Sequence, residues 1–146
     1  MAVRAQPAPR SERVQIAEVE GIGAAHASSL DAVGVHTDSD LLTAGATRAS
    51  RQRLASRTGI REPLLRTWVN RIDLAQLEGI GPAHASLLEA AGVDCCAELA
   101  RRDAEHLAAT LVELVATRGT VRRAPEAHDV ARWIGEARAH AADVEQ

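Results

Sequence analysis

Two stretches of the chain bring together residues that could hold an anion. Residues 20–35 read EGIGAAHASSLDAVGV, and residues 78–93 read EGIGPAHASLLEAAGV. A Gly-Ile-Gly triplet can turn tightly because its glycines lack the Cβ that penalises unusual backbone angles, while the Ile between them can plug a core. Each triplet leads directly into an expected helix. Successive N–H groups of the turn then join the unpaired donors and partial positive charge of the helix N-terminus. Such a cradle suits a phosphate, and because it offers only backbone donors it would not read base sequence.

A second set of groups lies between the two stretches. All 17 basic residues are Arg, since the chain has no Lys. Residues 48–71 hold seven of them (48, 51, 53, 57, 61, 66 and 71) against the single acid Glu62, a local charge of +6 inside a chain of net charge −3. The flanking segments are acidic: −3 over residues 1–47 and −6 over residues 72–146. A basic belt of this density exceeds what solubility requires and provides the cations on which backbone-phosphate affinity depends. The alternative is a solvated face that pairs with acidic surface. The Gly-Ile-Gly turns themselves lack cations: Ala24, Ala25 and His26, then Pro82, Ala83 and His84 follow them, and Glu20 and Glu78 precede them.

His26 and His84 recur at matching places, but no carboxylate or cysteine recurs beside them at ligand spacing. First-turn imidazoles that face solvent or cap the helix are the expectation, and no metal is assigned. Cys95 and Cys96 are adjacent, with no second cysteine pair to complete a metal site, and read as small helix residues in a reducing compartment. No Ser–His–Asp set, paired-carboxylate motif or phosphate loop with Lys can be found, so neither an enzyme nor a cofactor is expected.

These groups must be positioned by helices. Aligning Gly21 with Gly79 gives an offset of 58 residues, and 13 of 19 positions are identical over 17–35 against 75–93. In each copy a short apolar segment (Ile16–Val19, Leu74–Leu77) runs into the turn, a helix follows, and Gly34 or Gly92 ends it as a C′ glycine. Pro82 sits at an early helical position, where its missing N–H costs nothing. Short helices follow over Ser39–Thr43 and Cys95–Arg101. Thr47 caps a helix over 48–57 that Gly59 ends, and Pro63 lies in the first turn of another near 62–71. Asp103 caps a helix striped by Leu107, Leu111, Leu114 and Val115; Gly119 stops it, and Pro125 opens a last helix carrying Val130, Trp133, Ile134 and Ala137 on one face.

Composition agrees with an all-α protein. The 46% hydrophobic fraction is mostly Ala, Leu and Val, with no Phe or Tyr and only Trp68 and Trp133, which suits close-packed helices better than aromatic-rich strands. No apolar run approaches the ~20 residues that span a bilayer. Residues 1–12 lack the apolar centre of a secretory signal and read as a flexible lead-in. With no disulfide framework suggested by the adjacent cysteines, a cytoplasmic setting is the simplest expectation.

Helix, Gly-x-Gly turn, helix resembles the helix-hairpin-helix module, here twice. The resemblance implies two units related through a connector: a 13–103 core with copies near 14–45 and 72–103, an Arg-rich connector at 46–71, and two C-terminal helices over 104–146 packed on that core. Together with its TGI…WVNR segment and its VRRAPEAHDVARWI stretch, the chain also resembles a bacterial family known as domain of unknown function 4332. The first resemblance implies contact with a nucleic-acid backbone through Gly21, Ile22 and Gly23 and through Gly79, Ile80 and Gly81. Arg51, Arg53, Arg57, Arg61 and Arg66 are the candidates for phosphate contact from the belt. The expected function is a non-enzymatic, sequence-insensitive nucleic-acid-binding module, with double-stranded DNA as partner. Two alternatives stand beside it. One is a protein–protein interaction or scaffold domain, using stripes on the acidic C-terminal helices. The other is a sequence-reading helix-turn-helix in residues 51–70, with Leu54, Ala55, Ile60, Leu65 and Trp68 as its packing positions and Arg61, Glu62, Arg66, Thr67 and Asn70 facing outward.

Overall fold

The computed structural model describes residues 14–19, 21–119 and 121–146. The expected lead-in over 1–12 and Glu20 lie outside the described residues. One turn of 3-10 helix (Ile16–Glu18) precedes eight α-helices: α1 (Ala24–Asp31), α2 (Asp38–Ala44), α3 (Arg48–Thr58), α4 (Glu62–Ala75), α5 (Pro82–Ala90), α6 (Cys96–Ala100), α7 (Ala104–Arg118) and α8 (Ala127–His140). The protein is all-α. Among the described residues the only extended pairing is an isolated antiparallel bridge between Gln15 and Thr37.

The helix boundaries follow local chemistry. Thr47 accepts the Ser50 N–H at 3.0 Å and starts α3, whose end is set by Gly59 at φ 81°. Asp103 accepts the His106 N–H at 2.9 Å to start α7, and Gly119 at φ 68° ends it. Thr37 and Asp40 cap α2 reciprocally, each side chain accepting the other's backbone N–H at 3.1–3.2 Å. Two boundaries differ from expectation. Helix α4 runs to Ala75 rather than stopping near 71, because Leu65, Trp68, Val69 and Ile72 continue one buried stripe through the polar Arg71. Helix α8 begins at Ala127, two residues beyond Pro125, where the Glu126 N–H reaches the Asp129 carboxylate at 3.2 Å.

The chain forms two compact units, one ending at Trp68 and including Gln146, the other spanning Val69–Glu145. Helix α4 contributes to both. In the first unit, Ile16, Ile22, Leu30, Leu41, Leu54, Ile60, Leu65 and Trp68 are buried. In the second, Leu77, Ile80, Leu88 and Leu99 share a core with Leu107, Leu111, Val130 and Trp133. Helices α7 and α8, read from sequence as an extension of a 13–103 core, thus complete the apolar centre that α5 and α6 begin.

Candidate functional site

Both Gly-Ile-Gly turns take the same backbone course. Gly21 has φ 93° and Gly79 φ 90°, in the region that a Cβ strongly disfavours. Ile22 and Ile80 then turn inward, 4% and 3% exposed. Each donates its N–H back to the preceding turn, Ile22 to Val19 at 3.0 Å and Ile80 to Leu77 at 3.2 Å. These two residues therefore drop out of the expected contact set: side chain and donor alike are used internally. The open donors lie one step on. Gly23 and Gly81 are the N-caps of α1 and α5 and offer no side-chain cap. The N–H groups of Gly23, Ala24 and Ala25, and of Gly81 and Ala83, find no acceptor among the described residues. Gly21, Gly23 and Gly79 are exposed and Gly81 is half-buried, so both turns keep an accessible donor edge.

The repeated imidazoles neither face solvent freely nor cap their helices. His26 lies against Trp68 with ring centroids 5.2 Å apart, and His84 against Trp133 at 5.6 Å. Each turn is thus buttressed by an indole from a helix much later in the chain. Local spacing could not reveal this, because the partners are brought together by tertiary packing.

The arginine belt separates into two kinds of residue. Arg53, Arg57 and Arg61 are exposed, Arg66 is half-buried, and none of the four forms an ion pair among the described residues. Arg53 and Arg57 stand one helical turn apart on α3 and so share a face. Arg51 is different, and its assignment to phosphate contact is corrected. Its side chain is wholly buried, with Nε donating to Glu62 at 2.7 Å, Nη1 to the Gly45 carbonyl at 2.8 Å and Nη2 to the Gln146 carbonyl at 3.2 Å. The position has a readable cause: Arg51 is three residues before Leu54, on the apolar side of α3, whereas Arg53 and Arg57 are not.

The helix-turn-helix alternative keeps its packing and loses part of its outward face. Leu54, Ile60, Leu65 and Trp68 are buried as that pattern needs. Asn70, however, is 3% exposed, and Glu62 is committed to Arg51. Arg61, Arg66 and Thr67 remain outside or at the margin.

Cys95 and Cys96 are buried, and burial pushes both thiols up from their ordinary range. The buried Asp73 carboxylate accepts the Cys96 N–H at 3.2 Å and the Gln76 amide at 3.0 Å; desolvation nevertheless raises its pKa. Among the described residues no three His, Cys, Asp or Glu side chains converge as metal ligands would.

A further feature escaped sequence reasoning. In the second unit a cleft of about 390 Å³ is walled by Gly79 and His84 on one side and by Arg123, Asp129, Arg132 and Trp133 on the other. Nothing in the local pattern linked the turn at 79–81 to residues over forty positions later.

No helix among the described residues is long and apolar enough to cross a membrane. No curated protein matches the chain, and no solved structure does. A family model does: the one described as domain of unknown function (DUF4332) matches residues 20–140, which include both Gly-Ile-Gly turns, the arginine belt and the helices that carry Trp68 and Trp133. The chain belongs to the DUF4332 family.

Proposed function

We propose that the protein is a non-enzymatic, cytoplasmic nucleic-acid-binding module that holds the phosphate backbone of duplex DNA without reading its sequence. In this reading the turns at 21–23 and 79–81 work as helix-hairpin-helix turns, offering the N–H groups of Gly23, Ala24, Gly81 and Ala83. The observation that carries it is the set Arg53, Arg57 and Arg61: exposed, without carboxylate partners among the described residues, and in the unit that contains the first turn. Three exposed guanidinium groups without acidic partners among the described residues are poorly explained by stability, since exposed charges contribute little to it. They are well explained by counterion release from a polyanion.

The test is a titration of mixed-sequence duplex DNA at several salt concentrations. Replacing Arg53, Arg57 and Arg61 together by Gln should flatten the log–log salt slope by roughly 2 to 3, at about 0.9 per lost phosphate contact. Unrelated duplex sequences should bind alike. Absence of binding at about 50 mM salt, where such contacts are strong, refutes the reading. The scaffold alternative calls for an apolar patch, and the large hydrophobic side chains exposed among the described residues are Leu64 and Val112, one in each unit.

A further inference from the structure

The indole N–H of Trp133 is a buried donor without an acceptor. Trp133 is 3% exposed, and its Nε1 meets no hydrogen-bond partner among the described residues. An indole nitrogen can only donate, so nothing else in its chemistry satisfies it. A buried polar group left in this state costs free energy, which is why such groups nearly always have partners.

The surroundings of this nitrogen offer further donors. A Cβ built on Gly79 would lie 3.2 Å from Trp133 Nε1 and 3.6 Å from Arg132 Nη2, so indole and guanidinium meet at the one residue that leaves room for both. Gly79 opens the turn whose next open donors are the Gly81 and Ala83 N–H groups, at the N-terminus of the nine-residue α5. Arg123, exposed, lines the same cleft. Asp129 and Glu126 also line it. The Asp129 carboxylate is engaged by the Glu126 N–H at 3.2 Å, a hydrogen bond that keeps its pKa low, and by Arg132 at 3.5 Å. The Glu126 carboxylate lies 3.4 Å from His128 Nδ1. The long Arg132–Asp129 contact is exposed and weak, so the guanidinium is free to turn toward a better acceptor.

From this convergence we infer that the cleft binds one phosphate group, held by Trp133 Nε1 and the Arg132 guanidinium, with Arg123 beside it. The ligand is a tetrahedral oxyanion on a phosphomonoester or on a nucleic-acid backbone. A shift of the Arg132 side chain admits it to the indole. The site rests on reading the second turn as phosphate-facing, but needs no arginine of the belt at 48–71.

Nuclear magnetic resonance of the full chain tests this directly, because two tryptophans give two indole N–H signals. Phosphate titrated at constant ionic strength should shift the Trp133 signal saturably and leave that of Trp68 in place. Arg132→Gln, at an exposed position, should weaken the effect by about tenfold or more, as expected for a lost charge-assisted hydrogen bond. Two further arms, a nucleoside monophosphate and a short unphosphorylated oligonucleotide, identify the source by which saturates at lower concentration. No saturable shift up to about 0.1 M phosphate, or equal shifts of both indoles from ionic effects, overturns the site. Replacing Arg53, Arg57 and Arg61 by Gln separates the two readings. If duplex binding is absent in the parent while the Trp133 shift persists in this variant, the proposed function falls and the phosphate site stands. If the duplex binds and Trp133 never responds, the reverse holds.

Discussion

Replacing Arg51 by Gln should destabilise the protein more than any other arginine change in the belt. The guanidinium is wholly buried and has three acceptors: the Glu62 carboxylate at 2.7 Å, the Gly45 carbonyl at 2.8 Å and the Gln146 carbonyl at 3.2 Å. Removing one member of a buried ion pair costs about 3–5 kcal/mol, mostly from the charge left without a partner. Glu62 keeps 19% side-chain exposure and can recover some hydration, which favours the lower end. The buried Gly45 carbonyl cannot rehydrate, and an orphaned acceptor of this kind adds about 1–3 kcal/mol. A total of about 4–6 kcal/mol is a large part of the ~5–15 kcal/mol that holds a native protein together. At about 2–4 °C per kcal/mol for a chain of this size, the thermal midpoint should fall by roughly 8–24 °C. Circular dichroism on heating measures it, with Arg53→Gln as the control expected to stay within about 0.5 kcal/mol of the parent. The difference should persist at high salt, because a buried pair is poorly screened. Measured well below its midpoint, Arg51→Gln should bind duplex DNA as the parent does, since the residue is not at the surface. A midpoint for Arg51→Gln equal to that of Arg53→Gln would refute the burial and everything argued from it.

Other perturbations have directions fixed by the structure. Desolvation raises the pKa of Asp73 above 3.8, so the stability associated with its protonated form is present in full below that pH and is lost as the pH rises through the folded value. Asp73→Asn should remove this slope and be the more stable protein at neutral pH; denaturant unfolding of both proteins across the acid range checks it, and parallel profiles would count against it. Gly34→Ala and Gly79→Ala both force a side chain into positive φ, at roughly 1–2 kcal/mol. Only at residue 79 does the new methyl also press on a packed ring, 3.2 Å from Trp133 Nε1, so Gly79→Ala should cost clearly more; equal midpoint shifts would contradict this. Both cysteines are buried with raised pKa values, so a thiol reagent should modify neither in the native state and both after denaturation.

Much of the fold is legible because its punctuation is local. Thr47 and Asp103 cap helices with their own side chains, and Gly59 and Gly119 end those helices at positive φ, so a few adjacent residues carry each signal. The candidate site is less legible because its parts depend on what lies across from them. Arg51 and Arg53 are two residues apart with the same side chain, yet one is buried against Glu62 and the other faces water. Helical periodicity marks the difference once Leu54 is taken as the core position. Counting charge along the belt hides it. The edge-on contact of His84 with Trp133 and the lack of a partner for the Trp133 nitrogen among the described residues have no local sign, since α5 and α8 come together through the folded core of the second unit.

What the repeat preserves also bears on function. Positive-φ glycines pair across the two units, Gly21 with Gly79 and Gly34 with Gly92, while Gly59 and Gly119, two residues off that register, each end a helix. Each is required by the backbone whether or not a ligand ever approaches, so the duplicated letters by themselves speak for the shape of the turns and not for their use. Use has to be argued from side chains that the backbone does not need. In the first unit these are Arg53, Arg57 and Arg61, exposed and without acidic partners among the described residues. In the second they are Arg123, Arg132 and the Trp133 nitrogen, gathered around Gly79. The two sets share no residue and lie on different segments of the chain, which is the pattern expected if one turn form was kept as scaffold while each unit acquired its own means of meeting a phosphate. Phosphate contact that survived Gln at all five arginines and Phe at Trp133 would show that the bare turns suffice, and would remove the reason for assigning those side chains a role.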